Sequence, residues 1–161
     1  MATLEKTKDI LADLIAFPSV SSDSNLAIIE YLANRLRDVG ADVRLQIAPS
    51  GTKANLFATL GPDTPGGIVL SGHSDVVPVA DQDWTHDPFE MIERDGRLYG
   101  RGTCDMKGFI AASIVKAEDY ARIPLNRPVH FAFTHDEETG CIGAQALAEW
   151  LQEHDIRAAI A

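Results

Sequence analysis

The spacing of apolar positions along this chain changes several times, and each change marks an element. Leu4, Leu11, Leu14 and Ile15 recur at helical spacing, with Thr3 placed to cap the start and Pro18 to end the run. A second helix is predicted where Leu26, Ile29, Leu32 and Leu36 share one face, and Gly40 stops it. The Ser21–Asn25 cluster between them reads as a loop. Val43, Leu45 and Ile47 then alternate with polar residues, as a half-buried strand does. Asn55 to Leu60 reads as its hairpin partner across a turn region at Pro49–Gly51.

After the Gly61-Pro62 and Pro65-Gly66-Gly67 breaks, Ile68-Val69-Leu70 is wholly apolar. That predicts a strand buried on both faces, as in a parallel sheet. The stretch from Pro78 to Gly102 is rich in Asp, Gly and aromatics. A loop of such length in a compact domain is usually functional. A helix over Lys107–Tyr120, a strand over Val129–Phe133 and a helix over Gly143–Glu153 follow. Strands that alternate with helices define an α/β class, expected as a mixed, largely parallel sheet flanked by helices. Ala158 to Ala161 reads as the start of another buried strand, so the chain is expected to be part of a longer polypeptide.

Composition narrows the function. The 161 residues suit one domain, and 45% hydrophobic with 24% charged residues is ordinary for a folded globular protein. A net charge of -10 repels nucleic acid and anionic membranes, so neither is expected as a partner. Met1 to Lys8 is polar rather than a secretory core, and no apolar run approaches the ~20 residues that span a bilayer. Two cysteines, Cys104 and Cys141, are too few for a disulfide scaffold. A reduced, cytoplasmic setting is expected.

Three clusters could carry chemistry. The first, Ser71 to Pro78, follows the Ile68–Leu70 strand directly. Sites form at the carboxyl ends of parallel strands. There His73 could bind zinc while Asp75, two residues on, holds the other ring nitrogen. A buried histidine paired with a local aspartate accounts for the same two residues. The second, Gly100 to Gly108, places Asp105 at the entry to a helix, as a ligand or a simple cap. It lacks the spacing of a phosphate loop. Cys104 is expected as a nearly buried small hydrophobe rather than a ligand. The third, His135 to Gly140, sets Asp136, Glu137 and Glu138 in a row at a strand end. Such a row is a solvated turn unless a cation neutralises it. His135 is expected to be structural or exposed, and His86, His130 and His154 have no evident partner. All three clusters could share one rim, and one imidazole with several carboxylates suits a metal hydrolase.

Taken in combination, "SGHSDVVPV", then Trp84 and Asp87–Phe89, then "DGRLYGRGTCDMKG" and "DEETG" resemble the zinc-dependent deacylase and exopeptidase family of acetylornithine deacetylase, succinyl-diaminopimelate desuccinylase and carboxypeptidase G. The wording around Cys104 and after Glu138 is most similar to the acetylornithine deacetylase branch. The resemblance covers essentially the whole chain. It implies two Zn²⁺ ions, replaceable by Co²⁺, with His73 and Glu138 as ligands of one each and Asp105 bridging them. It implies Glu137 as general base and Asp75 as the acid that orients His73, and a cis peptide at Asp105-Met106. The implied substrate is a small N-acyl amino acid, N2-acetyl-L-ornithine in the favoured branch, cleaved to L-ornithine and acetate in arginine biosynthesis. Residues 1–161 then correspond to the N-terminal part of the catalytic domain. A further acidic ligand, a distal histidine and a lid and dimerisation domain would lie outside it. The resemblance therefore implies a homodimer for the complete protein and an inactive fragment for this chain alone.

Overall fold

A computed structural model describes residues 2–161. Two helices open the chain, α1 (Ala2–Ile15) and α2 (Leu26–Asp38). A hairpin follows, β1 (Asp42–Ile47) and β2 (Ala54–Leu60), and then β3 (Ile68–His73). A small two-stranded arm, β4 (Ile92–Arg94) and β5 (Arg97–Tyr99), lies within the long 78–102 stretch. Helix α3 (Gly108–Tyr120), strand β6 (Val129–Thr134) and helix α4 (Ile142–Glu153) complete the chain.

The main sheet runs β1-β2-β6-β3. Its class is mixed α/β, as the alternation of patterns predicts, but the parallel share is smaller than expected. β1 with β2 and β2 with β6 are antiparallel, and only β3 with β6 is parallel. Connection length accounts for the first and the last of these pairings. A tight turn closed by the Ala48 N–H on the Lys53 carbonyl (2.9 Å) forces β1 and β2 antiparallel. The route from β3 to β6 is long and carries α3, as a parallel crossover requires.

Strand periodicity explains the two-sided core. Leu56, Ala58 and Leu60 of β2 and Val129, Phe131 and Phe133 of β6 face α1, α2 and α3. Phe57 and Ala132 point the other way, against Leu147 of α4. Phe131 and Phe133 are fully buried, each contributing on the order of 2–3 kcal/mol by area removed from water.

Three local expectations are corrected. Thr3 lies inside α1, not at its cap, and its carbonyl accepts the Thr7 hydroxyl at 2.8 Å. Ile68, Val69 and Leu70 are half-buried, because β3 is the edge of this sheet. Its outer side meets one short parallel bridge, Ile68 with Ile160. Cys104 is exposed, as is Cys141, so neither is the small buried hydrophobe that position in the sequence suggested for Cys104.

Candidate metal centre

The parallel register of β3 and β6 pairs His73 with Thr134, so the two strands end side by side. His73 is therefore set down next to the segment that follows β6, which holds Asp136, Glu137 and Glu138. The third contributor is the Gly100–Gly108 turn. Gly102 sits at φ +82, and a Cβ there would come within 2.8 Å of Val76 Cγ1. Only glycine lets this turn fold against the segment that carries Asp75. The Asp105-Met106 peptide is cis. Asp105 does not cap α3, whose start has no side-chain cap; its carboxylate turns to the imidazole instead.

All five residues singled out from the sequence meet here. His73 Nε2 lies 2.9 Å from Asp105 Oδ1 and 3.8 Å from Glu137 Oε2. His73, Glu137 and Glu138 offer ligand atoms that all lie within 4.8 Å of one another. Asp105 joins this triad through His73, and Glu137 lies beside the ligand atoms of His73 and Glu138. His73 and Asp75 are buried, whereas the side chains of Asp105 and Glu137 are 74% and 42% exposed, which leaves the carboxylates open to solvent.

Asp75 is the hub behind this surface. Its carboxylate accepts the Ser21 hydroxyl at 2.7 Å and the backbone N–H groups of Glu137 and Glu138 at 3.1 and 3.3 Å. Burial alone would raise this carboxyl, but His73, Ser21 and the Glu137 N–H outweigh it and hold it at about 2. His73 Nδ1 lies 2.9 Å from the Asp75 carbonyl oxygen, which can only accept, so Nδ1 carries the hydrogen. Nε2 then faces carboxylate oxygens that also only accept. A proton or a metal cation must lie between them. Without metal, burial pulls the imidazole down, yet the hydrogen bonds to Asp75 and Asp105 lift it to about 9. Glu138 is raised by burial and by the neighbouring charges of Asp105, Glu137 and Asp75. That crowding of like charge is what a divalent cation relieves, so the donor set fits one.

The third acid of the row has a different fate. Asp136 pairs with Lys53 at 2.7 Å, both nearly buried, and Lys53 also donates to the Ser21 carbonyl at 2.7 Å. The cation that tolerates Asp136 is thus internal. His135 is buried and structural, its backbone N–H on the Asn55 side-chain oxygen at 3.2 Å and its ring Nδ1 3.1 Å from Asp136 Oδ2. The other histidines have local partners: His130 with Thr59 Oγ1 (2.8 Å), His154 with the Trp150 carbonyl (2.8 Å), His86 edge-on to Trp84. Sequence reasoning missed Ser21, Asn25, Lys53 and Lys107. Lys107 is fully buried beneath the Asp105 turn, its ammonium on the Phe17 carbonyl at 2.7 Å, and burial pushes it down to about 7.

Fold and site together define an α/β domain with a histidine–carboxylate cluster able to hold a divalent cation. The chain belongs to peptidase family M20/M25/M40, whose sequence profile matches residues 69–161. It is 42% identical over 147 residues to an acetylornithine deacetylase of Photorhabdus laumondii, covering 87% of this chain and 38% of that protein. It is 43% identical over 147 residues to that of Proteus mirabilis, with the same two coverages. The chain thus spans 38% of the length of these curated relatives. Among solved structures, human carnosine dipeptidase 1 superposes with a TM-score of 0.79 at 27% identity, over 92% of this chain and 36% of that one. The M20 family metallo-carboxypeptidase Sso-CP2 of Sulfolobus solfataricus shares the fold, with a TM-score of 0.80 at 21% identity over 96% of this chain and 37% of that one. No described helix is long and apolar enough to cross a membrane.

Proposed function

We propose that this chain carries the metal-binding part of a zinc-dependent amidohydrolase that removes an acyl group from the nitrogen of an amino acid. N2-acetyl-L-ornithine is the substrate, L-ornithine and acetate the products. The observation that carries the reading is the meeting of one imidazole and two glutamates within 4.8 Å at the common end of two parallel strands. Identity of 42% and 43% to acetylornithine deacetylases supports the choice of substrate.

His73, Asp105 and Glu138 would hold the metal, and Asp75 keeps the imidazole hydrogen on Nδ1 so that Nε2 is free to serve as a ligand. Bound zinc supplies Lewis acidity, which polarises an amide carbonyl and acidifies water. Glu137 takes a proton from the water that attacks the carbonyl carbon. It returns that proton to the departing amine as the C–N bond breaks, leaving a carboxylic acid and a free amine, which exchange the remaining proton to become carboxylate and ammonium. The remaining ligands and the lid that the resemblance implies belong to the rest of the relatives' length. The 161-residue chain alone therefore holds zinc weakly at most and shows no turnover, and the complete protein works as a cytoplasmic homodimer.

The test is acetate release from N2-acetyl-L-ornithine by the full-length gene product supplied with zinc or cobalt, in parallel with the 161-residue chain. Glu137→Gln should lower turnover by at least about 100-fold, the usual worth of a positioned base, while zinc still binds. Normal turnover in that variant rejects Glu137 as the base. Absence of acetate release by the full-length protein rejects the substrate.

A further inference from the structure

The segment between α1 and α2 looks like a plain polar loop in the sequence, yet three of its side chains are among the most buried polar groups of the molecule. Ser19, Ser21 and Asn25 are 3%, 9% and 1% exposed. The segment wraps residues 74–76 on two sides. Ser21 N–H donates to the Val76 carbonyl at 3.1 Å, and Val76 N–H to the Ser19 carbonyl at 3.0 Å. The Ser19 hydroxyl reaches the Ser74 carbonyl at 2.7 Å. Asn25 binds Ala54 through both its amide atoms, at 2.9 and 2.8 Å, and donates to the Ser74 hydroxyl at 3.0 Å.

Within this wrap, Ser21 is the member that touches the site. Its hydroxyl meets Asp75 Oδ2 at 2.7 Å, the same oxygen that accepts the Glu138 N–H at 3.3 Å. Its carbonyl is pinned by Lys53, which also holds Asp136 at 2.7 Å. Ser21 is therefore fixed from behind by the cation that fixes the acid turn, and in front it fixes the carboxylate on which Glu137 and Glu138 hang. We propose that Ser21 is a positioning residue: through Asp75 it sets the orientation of His73 and the placement of the Glu137–Glu138 backbone. This rests on the metal-site reading above.

Groups that orient metal ligands carry on the order of 10–100-fold in metal affinity. The test compares wild type, Ser21→Ala and Ser21→Thr in the 161-residue chain. In metal-free protein, the Glu137 and Glu138 amide resonances should shift and exchange faster with solvent in Ser21→Ala, and return in Ser21→Thr, which keeps the hydroxyl. In zinc titrations, Ser21→Ala should bind about 10-fold more weakly, with affinity restored in Ser21→Thr. Unchanged amides in Ser21→Ala, equal zinc affinity in Ser21→Ala, or no recovery in Ser21→Thr would overturn the proposal. If wild type itself takes no zinc, the metal reading fails, and the amide measurements still decide the positioning role.

Discussion

At the residue scale, the imidazole of His73 governs what the site does with pH. Its hydrogen-bonded carboxylates lift it to about 9 from 6.5 in the metal-free chain. The imidazolium thus contributes stability that is complete below 6.5 and is lost as pH rises through about 9. Asp75 has the opposite sign: its contribution is present above 3.8 and is lost as pH falls toward about 2. Zinc requires the neutral ring, so proton and metal compete for Nε2. Zinc affinity should rise by about tenfold per pH unit as one proton is displaced, read by competition with a chromogenic chelator at several pH values below 9. A flat profile removes His73 from the ligand set. His73, Asp75 and Glu138 stood out only in combination, through the family motifs that carry them, since a histidine beside an aspartate or a row of acids at a strand end each has an ordinary structural reading by itself. Ser21 was not legible: a serine in a serine-rich turn looks the same whether solvent or a buried carboxylate receives its hydroxyl.

At the scale of elements, the β1–β2 turn and the acid turn are tied by Lys53 and Asp136, 83 residues apart in the chain. Their side chains are only 10% and 15% exposed. Replacing Lys53 by Met leaves Asp136 without its cation, and breaking a buried pair in this way costs about 3 kcal/mol. Urea unfolding should show that loss as a lower midpoint at unchanged slope, and a midpoint equal to wild type would deny the pair its structural weight. The elements of the main layer were readable from spacing alone, most boundaries falling within a few residues, whereas the short β4–β5 arm was hidden in the stretch read as a loop. The pairing directions were less so. An apolar run such as Ile68–Leu70 announces a strand but not its place in the sheet, and here it lies at an edge. Lys53 was unreadable for a related reason: lysine next to a turn is normally solvated, and only the long-range fold brings it an acid.

At the scale of the whole molecule, metal and fold are linked. A ligand that binds only the folded chain stabilises it by about 2.7 kcal/mol at a hundredfold excess over its dissociation constant. For a domain of this size the thermal midpoint should rise by roughly 5–10 °C with saturating zinc and fall back on addition of a chelator. An unmoved midpoint argues against a site on the folded chain. The outer side of β3 carries a further consequence. Val69 N–H meets the Ile160 carbonyl at 2.8 Å and His73 N–H the Met106 sulfur at 3.4 Å, which leaves the stretch around Ser71 as the part of that side with no described strand beside it. Unpaired backbone of this kind is a template for adding a foreign strand. Concentrated samples of the 161-residue chain should therefore self-associate in light scattering. A lysine at the exposed Ser71 should suppress it, much as natural proteins guard open sheet margins with charge.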